Sequence, residues 1–199
     1  MLRIFLIVCL TATINAAFSQ VQWELTKEQN GIKVYTAKEN SSKFKDIKVE
    51  AVFSGTIQKL ASILSDVGTT KSWVYGTKDC YVIKKNSATD ILYYSETALP
   101  WPVSNRDIPI KMQINADAKN NVLKVVAAGI PNAIPVKKGI VRIPYFNAYW
   151  DVKNNGNNKI SISYILKMDP GGSVPAGITN LFITKGPYET FANLRELLK

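Results

Sequence analysis

The 199-residue chain predicts an α+β domain in which a curved antiparallel sheet is closed by one long C-terminal helix. Three observations carry this. Apolar and polar positions alternate through most of the chain, and helical spacing of apolar residues is confined to 56–66 and 175–199. No repeat, low-complexity tract or Pro/Gly/Ser-rich linker interrupts it, and 46% hydrophobic residues at this length fit one core, not two.

The N-terminal segment stands outside that domain. Met1-Leu2-Arg3 is a short cationic start, Ile4 to Leu10 is an apolar run, and small and polar residues lead to Gln20. This is the order of a secretory signal peptide. Ala17 and Ser19 stand two apart, as small residues before a cut do, so 1–19 is read as signal and 20–199 as the domain. The run is well short of the ~20 residues that span a bilayer. The expected location is therefore periplasmic or secreted. Cys9 leaves with the signal, so Cys80 remains alone and a disulfide scaffold is excluded.

The elements follow in order. Gly31 to Thr36 is a short β-branched run. From Lys43 to Phe53, Ile47, Val49, Ala51 and Phe53 share one face, with Asp46, Lys48 and Glu50 on the other. Thr56 to Asp66 places Ile57, Leu60, Ile63 and Leu64 at helical spacing behind Thr56, or Ser54, as N-cap. Strands are expected at 79–85, 91–97, through Ile108-Ile110-Met112-Ile114, at Asn121 to Ala127, Gly139 to Val152 and Lys159 to Lys167. Asn154 to Asn158, centred on Gly156, reads as a hairpin turn because Asn and Gly tolerate positive φ. The last stretch, Pro175 to Lys199, is a helix that Gly186-Pro187 should kink or split.

Charge and composition narrow the function. Lys and Arg outnumber Asp and Glu by 25 to 15, a net +10 that becomes +9 once Arg3 is lost. The lysines are scattered and no aromatic-interleaved basic stripe occurs, so a membrane surface fits better than nucleic acid. The chain has no histidine. Ser-His-Asp or Cys-His nucleophiles, His-ligated metals and a histidine base are thereby excluded. No metal or cofactor is expected, and the chain is read as a monomer.

The segment Leu99-Pro100-Trp101-Pro102-Val103-Ser104-Asn105-Arg106-Asp107 resembles the central signature of START-type lipid-binding domains, in particular their exported bacterial branch. Trp23-Glu24-Leu25 with Gly31-Ile32-Lys33-Val34-Tyr35, Asp66 with Trp73, and Gly139-Ile140-Val141-Arg142 with Trp150 resemble other parts of that family. So does Asp169-Pro170-Gly171-Gly172-Ser173-Val174-Pro175-Ala176, followed by Asn180 and Leu194-Arg195. The resemblance implies the helix-grip fold, a bent antiparallel sheet around the C-terminal helix, with an apolar tunnel holding one lipid, sterol-like or isoprenoid molecule. Independently, one helix across such a sheet leaves an interior that ordinary side chains do not fill at native density.

Candidate lining residues are Tyr94, Met112, Ile114, Phe146, Trp150 and Tyr164 on strands, and Ile178, Leu181 and Phe182 on the helix. The alternative is that they form a closed core. Trp101, Arg106, Asp107 and Arg142 are read as structural, with Arg106-Asp107 anchoring a turn or a neighbouring element and Arg142 or Asp151 as possible partners; the alternative is that Arg106 meets a ligand headgroup. Some START domains carry a buried acid–base pair in the tunnel, but no equivalent stands out here. Ala128 to Lys138 is read as a gate loop, with Ile130, Ile134 and Val136 toward lipid and Lys137 and Lys138 toward phosphate. The expected function is non-enzymatic binding and transport of a hydrophobic ligand. A cyclase or hydrolase on the same scaffold is the alternative, and would need Glu96, Asp107, Asp151 or a tyrosine as acid or base.

Overall fold

The computed structural model describes residues 21–38 and 44–199; the expected signal segment 1–19 lies outside the described residues. The first strands are β1 (Glu24–Gln29), β2 (Ile32–Lys38) and β3 (Lys45–Ser54). Helix α1 (Ile57–Ser65), a 3₁₀ turn (Val67–Thr69) and the single turn α2 (Thr70–Trp73) follow. Thr56 caps α1 as expected, its hydroxyl accepting from the Lys59 N–H at 3.1 Å.

The chain then runs through β4 (Thr77–Ser87), β5 (Asp90–Thr97), β6 (Arg106–Asp117) and β7 (Val122–Gly129). After β8 (Val141–Arg142), β9 (Tyr145–Gly156) and β10 (Lys159–Asp169) form a hairpin. Its turn residues Asn157 and Asn158 sit at φ 51° and 54°, the left-handed pair that a two-residue hairpin turn requires.

The strands form one open sheet in the order β1-β2-β3-β10-β9-β7-β6-β5-β4, antiparallel throughout except where β8 runs parallel to β6. The segment from Gly139 to Val152, expected as one strand, is divided at Ile143-Pro144 because Pro144 has no N–H for a ladder. The first strand is mostly exposed and, among the described residues, pairs only with β2, so it lacks the alternation that marks the others.

The C-terminal helical path comprises α3 (Ala176–Asn180), a π turn (Leu181–Lys185) and α4 (Gly186–Leu198). The disturbance expected at Gly186-Pro187 thus takes the form of a wide turn just before it, without a break in the path. A proline ring crowds the carbonyl one turn back, and a π turn makes room for it. Helix α4 lies against β2, β3, α1 and α2. It buries Tyr188, Phe191, Leu194 and Leu198, with the Phe191 ring stacked 5.3 Å from Trp150 and tilted against Tyr164 at 5.5 Å. This is the helix-grip arrangement.

A cavity between sheet and helix

Phe191 does not fill the space under the sheet. A cavity of about 440 Å³ remains between the concave face, α2 and the C-terminal helical segments, inside the range of about 300–1,000 Å³ typical of ligand pockets. Alternate strand residues face it, as the pleat dictates: Ile108, Ile110 and Met112 from β6, and Tyr164, Leu166 and Met168 from β10. Trp73 closes one side, and the connection after β5 contributes Leu99 and Pro100. No charged side chain lines it among the described residues.

Of the expected lining residues, Met112, Phe146, Trp150, Tyr164, Leu181 and Phe182 border this space. Tyr94, Ile114 and Ile178 do not. Tyr94 is fully buried but on the opposite face of β5; its neighbours Tyr93 and Ser95 face the cavity instead. Ile114 belongs to the closed core, toward the end of β6 where α1 lies against the sheet. Ile178 is half-buried, one turn before the helical residues that reach the cavity. Tyr93, Ser95, Trp73 and Thr190 are lining residues that the sequence reading missed.

The acids considered for catalysis lie across the sheet from the cavity. Glu96 is only 4% exposed. Its Oε1 accepts from Asn105 Nδ2 at 2.7 Å and lies 3.0 Å from Lys78 Nζ, while Oε2 accepts from the Tyr94 hydroxyl at 3.2 Å. Burial pushes the Glu96 pKa upward, but the hydrogen bonds from Asn105 and Lys78 outweigh it and hold the carboxyl below the ordinary glutamate value. Asn105 Oδ1 also accepts from the Leu99 N–H at 3.2 Å, tying this network to a cavity wall. Asp151 is exposed, on the face of β9 opposite Trp150.

Arg106 and Asp107 do not pair with each other. Asp107 binds Arg142, as considered from sequence, whereas the buried Arg106 guanidinium donates to the carbonyls of Ser104, Pro170, Gly171 and Ser173. Arg106 therefore fastens the segment leading into α3. Arg142 in turn donates to the carbonyls of Pro131, Ile134 and Pro135. Trp101 is 92% exposed, so it is not a packing residue.

None of Ile130, Ile134, Val136, Lys137 and Lys138 borders the cavity. Arg142 holds their loop beside β6, and Lys137 places its ammonium 3.8 Å from the centre of the Tyr94 ring. Ile130, Val136 and Lys138 are exposed. The walls with exposed residues are elsewhere, at Ala98 and Pro100 after β5.

A helix-grip fold around an apolar, ligand-sized cavity defines a binding protein for hydrophobic molecules. The START domain family model matches residues 13–199, and the chain belongs to that family. It is 28% identical to a Pseudomonas aeruginosa protein over 87% of this chain and 85% of that one. It is also 24% identical to the phosphatidylcholine transfer protein of Bos taurus, covering 82% of this chain and 78% of the relative. The crystal structure of a STAR-related lipid transfer protein from Xanthomonas axonopodis superposes with a TM-score of 0.80 at 27% identity, covering 88% of this chain and 98% of that one. Lipid binding is the activity this kinship supports.

Proposed function

We propose that the protein is a non-enzymatic carrier that holds one hydrophobic molecule in the cavity under its sheet and exchanges it at a lipid surface. The carrying observation is the 440 Å³ cavity with its predominantly hydrophobic wall and no charged side chain among the described residues. Glu96 and Asp107 are engaged on the other face of the sheet, which favours carriage over acid–base chemistry. The protein works as a monomer in the periplasm or outside the cell, after removal of residues 1–19. The Met1-to-Gln20 pattern supports that export.

Contact with a membrane is assigned to one end of the sheet. The β5–β6 and β7–β8 connections and the segment before α3 all leave the strands there, by the antiparallel registers. That end carries the exposed Trp101, Ile130 and Val136. Lys71 and Lys185 are exposed next to the lining residues Thr70 and Gly186. Amphipathic Trp and scattered cations suit an anionic interface.

Purification from the native host followed by lipid extraction and mass spectrometry tests the carrier reading. One lipid per protein chain is expected. Protein that arrives empty and takes up no lipid from host extracts overturns it. N-terminal sequencing of the same sample should begin at Gln20.

A further inference from the structure

The polar atoms of the cavity wall are neutral, and several of them are donors without partners. Trp73 lines the cavity, and its buried Nε1 has no hydrogen-bond partner. An indole N–H only donates, and unpaired buried donors are rare in folded proteins. Tyr93 and Tyr164 also line the cavity, and neither hydroxyl has a hydrogen-bond partner among the described residues. Their phenols are near enough to influence each other, and burial pushes both pKa values far up, so they remain protonated donors. The interior thus offers hydrogen bonds to an oxygen acceptor and offers no counter-charge.

We propose that the cavity selects a neutral lipid whose single polar end is a hydroxyl, ester or ketone oxygen seated among Trp73, Tyr93 and Tyr164. This rests on the carrier reading and narrows it. A phosphate, ammonium or carboxylate drawn into the same space loses its hydration without gaining an ion pair, which is the costliest form of burial. Lys78, Glu96, Asp107 and Arg142 do not help such a group, because they are paired across the sheet, and Lys71 and Lys185, beside the lining residues Thr70 and Gly186, are solvent-exposed and do not line the cavity. The ligand class therefore differs from the phosphatidylcholine named for the mammalian relatives.

Retinol and retinoate share one apolar skeleton and differ in the charge of the polar end, so they separate the two terms. Titrations followed by probe fluorescence at alkaline pH should give retinol about a hundred-fold tighter binding than retinoate. Fluorescent phosphatidylcholine should bind no better than retinoate. Tyr93→Phe and Tyr164→Phe should each weaken retinol binding about five-fold. Because these hydroxyls have no partner among the described residues, both variants should melt at or above the wild-type temperature; Trp73→Phe provides a third, independent test of the donor set. Retinoate or phosphatidylcholine binding within about three-fold of retinol overturns the inference, as does a Tyr93→Phe/Tyr164→Phe protein with wild-type retinol affinity. If no probe binds and no host lipid is carried, the carrier reading itself falls.

Discussion

Asp107 and Arg142 meet as a two-pronged pair, Nε to Oδ1 at 2.7 Å and Nη2 to Oδ2 at 3.1 Å, with the carboxylate completely buried. The same guanidinium holds three carbonyls of the loop after β7, so one pair joins β6, β8 and that loop. Asp107→Ala leaves a nearly buried cation facing only carbonyls. It should cost about 3–5 kcal/mol, measured by urea unfolding, because the remaining charge keeps its desolvation penalty. Asp107→Leu/Arg142→Met should recover part of that loss. A single variant as stable as wild type would show that solvent reaches the pair.

Glu96 gives the fold a pH dependence of definite sign. Its pKa is lower in the folded chain than the ordinary value of 4.5, so the unfolded chain takes up the proton first. The stabilisation is present above that value and is lost as pH falls from it toward the folded pKa. Glu96→Gln should therefore lower the melting temperature at pH about 7, and the gap to wild type should close by pH about 3. A gap independent of pH would assign the effect to shape and not to charge.

Much of this site is legible in the sequence, and the failures have physical causes. Met112 declares its face because Lys111 and Gln113 lie opposite it where β6 has a wet side, and Ile108 and Ile110 join it by alternation although Asp107 and Pro109 opposite them are buried. Tyr93 and Tyr94 are adjacent, and their strand is buried on both faces near Glu96, so alternation separates them without saying which is inward. The Pro170, Gly171 and Ser173 carbonyls that Arg106 holds lie 64 to 67 residues away, beyond any local pattern. Whether aromatic side chains close the interior or leave space depends on how Phe191 stacks on Trp150, a matter of packing geometry that composition does not encode.

Gly186 has a steric role that the helical pattern hides. A Cβ there would stand 2.5 Å from the Leu181 carbonyl oxygen, a backbone atom within the π turn, and 3.4 Å from Tyr75. Gly186→Ala must therefore move the turn that carries Leu181 and Phe182 into the cavity wall. A loss of about 1–3 kcal/mol is expected from overpacking. Faster release of bound retinol should accompany it, read by stopped-flow transfer to vesicles. A variant with unchanged stability and release would mean that the turn relaxes without disturbing the wall.

Trp101 provides the sharpest separation of docking from folding. At 92% exposure it packs against almost nothing, so Trp101→Ala should change unfolding free energy by no more than about 0.5 kcal/mol. Yet its chain neighbour Pro100 lines the cavity, which puts the indole at the expected point of lipid exchange. Co-sedimentation with vesicles containing phosphatidylglycerol should fall several-fold for Trp101→Ala. It should fall again on adding Val136→Asp, since Val136 is 66% exposed in a loop at the same end of the sheet. Ile134→Asp distinguishes that loop's surface from its frame: Ile134 is half-buried and its carbonyl binds Arg142, so stability should suffer more than docking. Raising salt should weaken wild-type binding without abolishing it, because screening removes the lysine contribution and leaves the indole's. Vesicle binding that vanishes with salt and ignores Trp101→Ala would reduce the contact to charge alone.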